Sequence, residues 1–342
     1  MTSSVSRQKI RDSFKRFNHQ TEHHLRIGVF NDGLAHLSRE EAFAWCAVEG
    51  LEAIEMGVGG WAKAPEQLPL DLMLRELGER DRLQGQLAEH GLALSCVNAA
   101  GNPLHPDPAI AGEHAARLRG AIELAALLGV ERVVTMSGCP GGRRGGGEAV
   151  FAPWAVAADD ESLWNWQFEQ VVAPFWRELG EWARAAAPSV RICLELHAGA
   201  LAYNPGSFRR VAEAGGENIR VNFDPSHFWW QGIDARRVVD ELGDRISFCH
   251  GKDTLLHPDR IAVDGVFDFR FPVDPDTATW HFAAVGEGRP VEEWAQLLAA
   301  LRAAGYDGDV SIEHEDPRVE AEQGIRESHA ALRAALAGAL VG

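Results

Sequence analysis

The chain has 342 residues, 46% of them hydrophobic and 24% charged, with a formal net charge of −17. That length holds one large α/β barrel or two smaller domains, and the acidic balance speaks against nucleic acid or an anionic membrane surface, both of which must be met by Lys and Arg. No apolar run has the length of a spanning helix, the N-terminus lacks the apolar core of a signal peptide, and five scattered cysteines suit reduced core thiols of a cytoplasmic protein.

Residues 1–24 are polar and read as an N-terminal extension to a body spanning 25–342. LRIGVF (25–30) is the first strand, and Ser38 then caps a helix with Glu41 at the capping-box position. LEAIEMG (51–57) is the second strand, and a long helix over 69–91 leads to the third in GLALSCVNAAGN. Helix 109–129 precedes the fourth strand, ERVVTMSG (131–138). A Gly- and Trp-rich stretch, 139–166, is too long for an ordinary connection and reads as a functional rim loop. Helix 167–187 restores the rhythm.

Four runs of one design follow: RICLELHAG (191–199), IRVNFDPSH (219–227), RISFCHGKD (245–253) and DVSIEHEDP (309–317). Each is a short apolar run ending in acidic or imidazole side chains. A second long loop, 254–288, follows the seventh strand, and helices near 290–305 and 318–338 flank the eighth. Eight strand–helix units, with right-handed crossovers, predict a (β/α)8 TIM barrel with long rim insertions after strands 4 and 7. Active sites of such barrels lie at the C-terminal strand ends, where both insertions fall.

Strand alternation puts Cys193, Glu195 and His197 toward the barrel axis, with Asn222 and Asp224, then Phe248, His250 and Lys252, then Ser311, Glu313 and Glu315. Any one acid here has a bland reading as a rim salt bridge or a helix cap, as for Asp224 before Pro225 and Ser226. The set Glu195, Asp224, His250 and Glu313 is different: three bare carboxylates on one rim repel strongly unless a cation sits among them. Its hard donors suit Mn²⁺, Co²⁺, Mg²⁺ or Zn²⁺, with Mn²⁺ placed first.

His197, two residues past Glu195, is placed to take a proton from a bound substrate, against the alternative of a packing histidine. His227 could bond a sugar hydroxyl or serve as a fifth ligand. Lys252 could stabilise an enolate oxygen or pair with Asp253 or Glu313, and Glu55 could bind hydroxyls. Tryptophans crowd the rim loops, and Trp229 and Trp280 are candidates for stacking on a sugar ring, the alternative being lid packing. SGCPGGRRGGGE lacks the arrangement of a phosphate-binding loop, which favours an unphosphorylated substrate.

At LELHAGALAYNP, FDPSHFWWQGID, CHGKDT, VGEG and SIEHED the sequence resembles the sugar phosphate isomerase/epimerase family, the xylose isomerase-like TIM barrels. The resemblance covers most of the chain from about residue 25. It implies one divalent metal on Glu195, Asp224, His250 and Glu313, and proton abstraction beside the carbonyl of a keto-sugar. The SGCPGG insertion and FDPSHFWWQGID look like a subgroup with lyases of 3-keto-glycosides, as in the larger subunits of C-glycoside deglycosidases. In that reading Glu195, Glu313, His197 and Lys252 are the catalytic set, with His197 the base, and β-elimination follows enolisation. A ketose epimerase or aldose–ketose isomerase is the alternative, with Glu195 and Glu313 as opposed acids. Besides a sugar or glycoside, a small partner subunit or a homo-oligomer is the partner this resemblance allows. WHFAAVGEGRP departs from it, since a basic residue is expected ahead of VG. A DNA-repair endonuclease on the same barrel would need about three metals and a basic groove, and a non-catalytic carbohydrate-binding barrel would not need so complete a ligand set.

Overall fold

The computed structural model describes residues 25–143, 146–154, 163–267 and 273–339, so the expected extension 1–24 lies outside the described residues. Eight strands pair side by side in parallel and close into a ring: β1 (Ile27–Phe30), β2 (Ala53–Gly57), β3 (Ala93–Asn98), β4 (Arg132–Met136), β5 (Arg191–Glu195), β6 (Ile219–Phe223), β7 (Ile246–Gly251) and, after an inserted pair, β10 (Val310–Ile312). The order around the ring is β1-β10-β7-β6-β5-β4-β3-β2. Apolar side chains on the outward register of these strands, such as Ile192, Leu194, Val221 and Phe223, are fully buried in the main core beneath the helices. This is the expected (β/α)8 barrel.

The barrel's interior is layered. Cys96, Val134, Cys193 and Phe248, from β3, β4, β5 and β7, form a small apolar cluster of their own, distinct from the outer core. One inward step nearer the mouth come Asn98, Glu195 and His250, so the apolar layer is the floor on which the polar site stands.

Local chemistry explains the helices and where expectations need correcting. Ser38 and Glu41 form the reciprocal capping box. The long helix expected over 69–91 is instead two, Leu70–Arg75 and Leu77–Glu89, broken at Glu76, whose backbone is extended (φ −108, ψ 106). Arg80 stabilises the break by donating to the carbonyls of Met73 and Leu74, at 2.5 and 3.1 Å, which would otherwise end the first helix unbonded. The helix expected from 167 starts at Leu163 and passes through a π turn, Phe168–Val172, just before Pro174. A proline there removes one ladder bond, and the widened turn accommodates it.

The stretch expected as a 254–288 loop holds an antiparallel pair, β8 (Asp253–Leu256) with β9 (Trp280–Ala283), and a helix, Pro258–Asp264. Its root is Asp253. Oδ1 accepts the N–H of Thr254 at 2.7 Å, while Oδ2 accepts those of Gly286 and Arg289 at 3.0 Å and the indole N–H of Trp294 at 3.1 Å. The insertion after β4 is clamped by buried Gln167, whose amide donates to Pro140, Gly141 and Val150 carbonyls.

Candidate metal centre

Four strands of one contiguous arc, β5, β6, β7 and β10, end at the same point. Glu195, Asp224, His250 and Glu313 each bring one ligand atom into a set lying within 4.8 Å of one another. Glu195, Asp224 and His250 are buried. Asp224 Oδ1 accepts from Ser226, at 2.9 Å from its N–H and 2.7 Å from its hydroxyl, which turns Oδ2 toward the cluster. Oδ2 itself is buried and accepts no hydrogen bond, although Lys252 Nζ and His227 Nε2 stand 3.1 and 3.3 Å away. An orphaned carboxylate oxygen, two glutamates and an imidazole are a donor set that fits a hard or borderline divalent cation.

His250 is aimed by a residue from across the barrel. Its Nδ1 faces Glu313 Oε2 at 3.1 Å and Glu195 Oε2 at 3.5 Å, and its Nε2 meets Glu55 Oε2 at 3.1 Å. Glu55 in turn accepts from Asn98 at 2.7 Å. A carboxylate behind a ligating imidazole fixes its tautomer and raises its basicity. Glu55, fully buried, is therefore a brace under the site and not the hydroxyl contact expected of it.

His227 is likewise turned inward. It is buried and bonds Glu195 Oε1 at 2.8 Å through Nε2, which spends that nitrogen on Glu195 in preference to a sugar hydroxyl. Burial works against its charge, but Asp224 and Glu195 lift its pKa to about 9. Lys252 pairs with Glu313 Oε2 at 2.5 Å and Glu315 Oε2 at 2.9 Å, and not with Asp253; the Phe282 ring lies 4.6 Å from its ammonium. Burial opposes the charge of Glu195 and Glu313 too, yet Lys252 and the two histidines hold both carboxyls below the usual range.

His197 is half-buried beside this network, its ring centroid 4.2 Å from that of His227. Burial, then the charge of His227, holds its pKa below the ordinary imidazole range. The imidazole is neutral at physiological pH and able to accept a proton, though a weaker base than a free one. The tryptophans expected to stack on substrate are spent on packing. Trp229 is buried edge-on against Trp294 with Arg289 over its face. Trp280 stacks on Trp230 at 4.8 Å and donates its N–H to Val266. The ring that reaches the site from the same ribbon is Phe282, 5.2 Å from His227 and not among the sequence candidates. Alternation within WHF could have found it, because Phe282 shares the face of Trp280. Asn222, whose amide donates to Glu195 Oε2 at 3.2 Å, was legible as inward but given no role.

A family model described as xylose isomerase-like TIM barrel matches residues 43–335. The chain is 33% identical over 311 residues to the uncharacterized protein YfiH of Bacillus subtilis (strain 168), covering 90% of this chain and 98% of that protein. Among solved structures it is similar to the 3-keto-D-glucoside 4-epimerase YcjR from E. coli, with TM-score 0.62, 16% identity, and coverage of 91% and 99% of the two chains. It is also similar to the probable 3-DHS dehydratase AsbF from Bacillus anthracis, with TM-score 0.62, 15% identity, and coverage of 90% and 99%.

Proposed function

The chain belongs to the xylose isomerase-like TIM barrel family, and on that footing we propose that it is a divalent-metal-dependent carbohydrate enzyme, a lyase of 3-keto-glycosides. The observation that carries the reading is an asymmetry among proton-handling groups. Glu195 is tied to His227 and Asn222, and Glu313 to Lys252 and His250. Both carboxyls are held ionised. Among the described residues packed against the cluster, the half-buried His197 is held neutral. One free base suits a reaction that removes a proton and then expels a leaving group. Epimerisation needs a second group to return the proton to that same carbon from the opposite face, and the two glutamates of the cluster are both committed to other partners.

Glu195, Asp224, His250 and Glu313 would hold the ion, Mn²⁺ being the first candidate and Mg²⁺, Co²⁺ or Zn²⁺ the others. A divalent cation supplies a Lewis acid that polarises the substrate carbonyl and offsets the charge developing on its oxygen. His197 then takes the proton from the adjacent carbon, Glu55 and His227 keep the ligands in register, and Phe282 shields the pocket from water. A ketose epimerase acting on an unphosphorylated sugar is the second reading, supported by the epimerase among the similar folds and by Glu195 and Glu313 meeting in one cluster.

Metal analysis followed by a solvent-deuterium assay with 3-keto-glucosides and free ketoses decides between them. Aglycone release supports the lyase, and exchange with the sugar retained supports the epimerase. Neither, in metal-loaded protein, removes both readings.

A further inference from the structure

Asp32 lies outside the ligand set, yet the barrel brings it to the same rim. On β1, Gly28 pairs with inward Ser311 and with Ala53, two residues before inward Glu55, so Gly28 and Phe30 follow the inward register, and Asp32 Oδ1 lies 3.6 Å from where a Cβ on Gly57, two residues past Glu55, would stand. The ring of Phe30 agrees, lying nearly parallel to that of His250 (14°, centroids 6.4 Å apart). Asp32 itself sits on the short turn Asn31–Leu34, with Oδ1 accepting the N–H of Lys63 at 2.9 Å. Around the ring, β1 is four strands from β5 in either direction. Asp32 and His197 therefore stand on opposite sides of the mouth, with the ligand cluster between them.

Its surroundings also separate Asp32 from the other acids. It is half-buried, and the charges of Glu313 and Glu55 act against its ionisation while the exposed Lys63 favours it. Burial is the main cause that pushes its carboxyl up to about 7. The three ligand carboxylates converge on one another and on Lys252, and His227 is committed to Glu195.

We propose that Asp32 is the acid of this site, donating its proton to the aglycone oxygen across the mouth from His197. This rests on the lyase reading. His197 takes the proton from the carbon beside the carbonyl, and that C–H pair forms the new C=C bond. The glycosidic C–O bond breaks with its electron pair passing to the aglycone oxygen, which takes the proton of the Asp32 carboxyl. Asp32 is left as a carboxylate and His197 as an imidazolium, and proton exchange with water resets both.

The test compares manganese-loaded wild type and Asp32→Asn on methyl and 4-nitrophenyl 3-keto-glucosides, reading both aglycone release and solvent-deuterium exchange at the abstracted carbon. Methanol release should fall about 100-fold or more, while the better leaving group, which needs little protonation, falls less than about 3-fold and exchange persists. An equal loss for both aglycones, or no loss for either, overturns the role of Asp32 while the lyase reading stands on the wild-type result. Wild type that exchanges deuterium but releases neither aglycone removes the lyase reading and the role of Asp32 together.

Discussion

Glu55 Oε2, from β2, lies 3.1 Å from His250 Nε2, from β7, and this contact across the barrel turns His250 Nδ1 toward three carboxylates. Glu55→Gln keeps the shape but removes the charge that favours a basic Nδ1. Its affinity for Mn²⁺, followed by calorimetry on metal-stripped protein, should fall about 10–100-fold. Unchanged affinity would show that Glu55 is an idle buried carboxylate.

The cluster holds excess negative charge in low dielectric, so a cation should stabilise the fold. At about 100 times Kd, Mn²⁺ should add about 2.7 kcal/mol to the unfolding free energy. His250→Asn and Glu195→Gln should both abolish the rise in Tm seen on adding Mn²⁺. A rise of wild-type size in either variant would place the ion elsewhere.

His197→Asn separates chemistry from metal binding, because the ring of His197 packs on His227, and its backbone N–H, which Asn keeps, is what bonds Glu195. Deuterium exchange should fall by about 10²–10⁴-fold with metal content unchanged. Loss of metal along with activity would make His197 part of the ligand scaffold and not the base.

Asp32 also gives a pH signature in stability. Its folded pKa of about 7 lies above the usual 3.8, so its contribution is present at low pH and is lost as pH rises through 7. Asp32→Asn has no such titration. From pH 5 to pH 8 the variant should gain on wild type by about 1–2 kcal/mol, the full shift being discounted for partial exposure to water. Parallel stability curves from urea melts would be falsifying.

Asp253 anchors both ends of the inserted ribbon through four donors. Asp253→Ala leaves those N–H groups without their acceptor and should cost about 2–4 kcal/mol by urea unfolding. A cost under about 0.5 kcal/mol would mean that the backbone pairing of β8 with β9 holds the ribbon unaided.

What the sequence disclosed follows from periodicity. Strand alternation has a period of two, so Glu195, Asp224, His250 and Glu313 could be assigned to one face once the strands were seen. Side-chain direction beyond the strand ends has no such period. Trp229, Trp280 and His227 sit on a short helix and an inserted ribbon, where packing against Trp294, Trp230 and Glu195 decides their aim. Glu55 was visible as inward, but its partner is 195 residues away in the chain, a pairing only ring closure reveals. Asp32 went unnoticed because it lies past the end of β1, on a tight helical turn where strand alternation assigns no direction.

The four candidate ligands come from one unbroken arc of staves, and among the described residues β1, β3 and β4 add none to that set. The residues that would grip an ion thereby belong to one half of a single ring, with His197 and Phe282 beside them. The carboxylate at position 55 is how the N-terminal half still reaches into that grip, through the imidazole of His250.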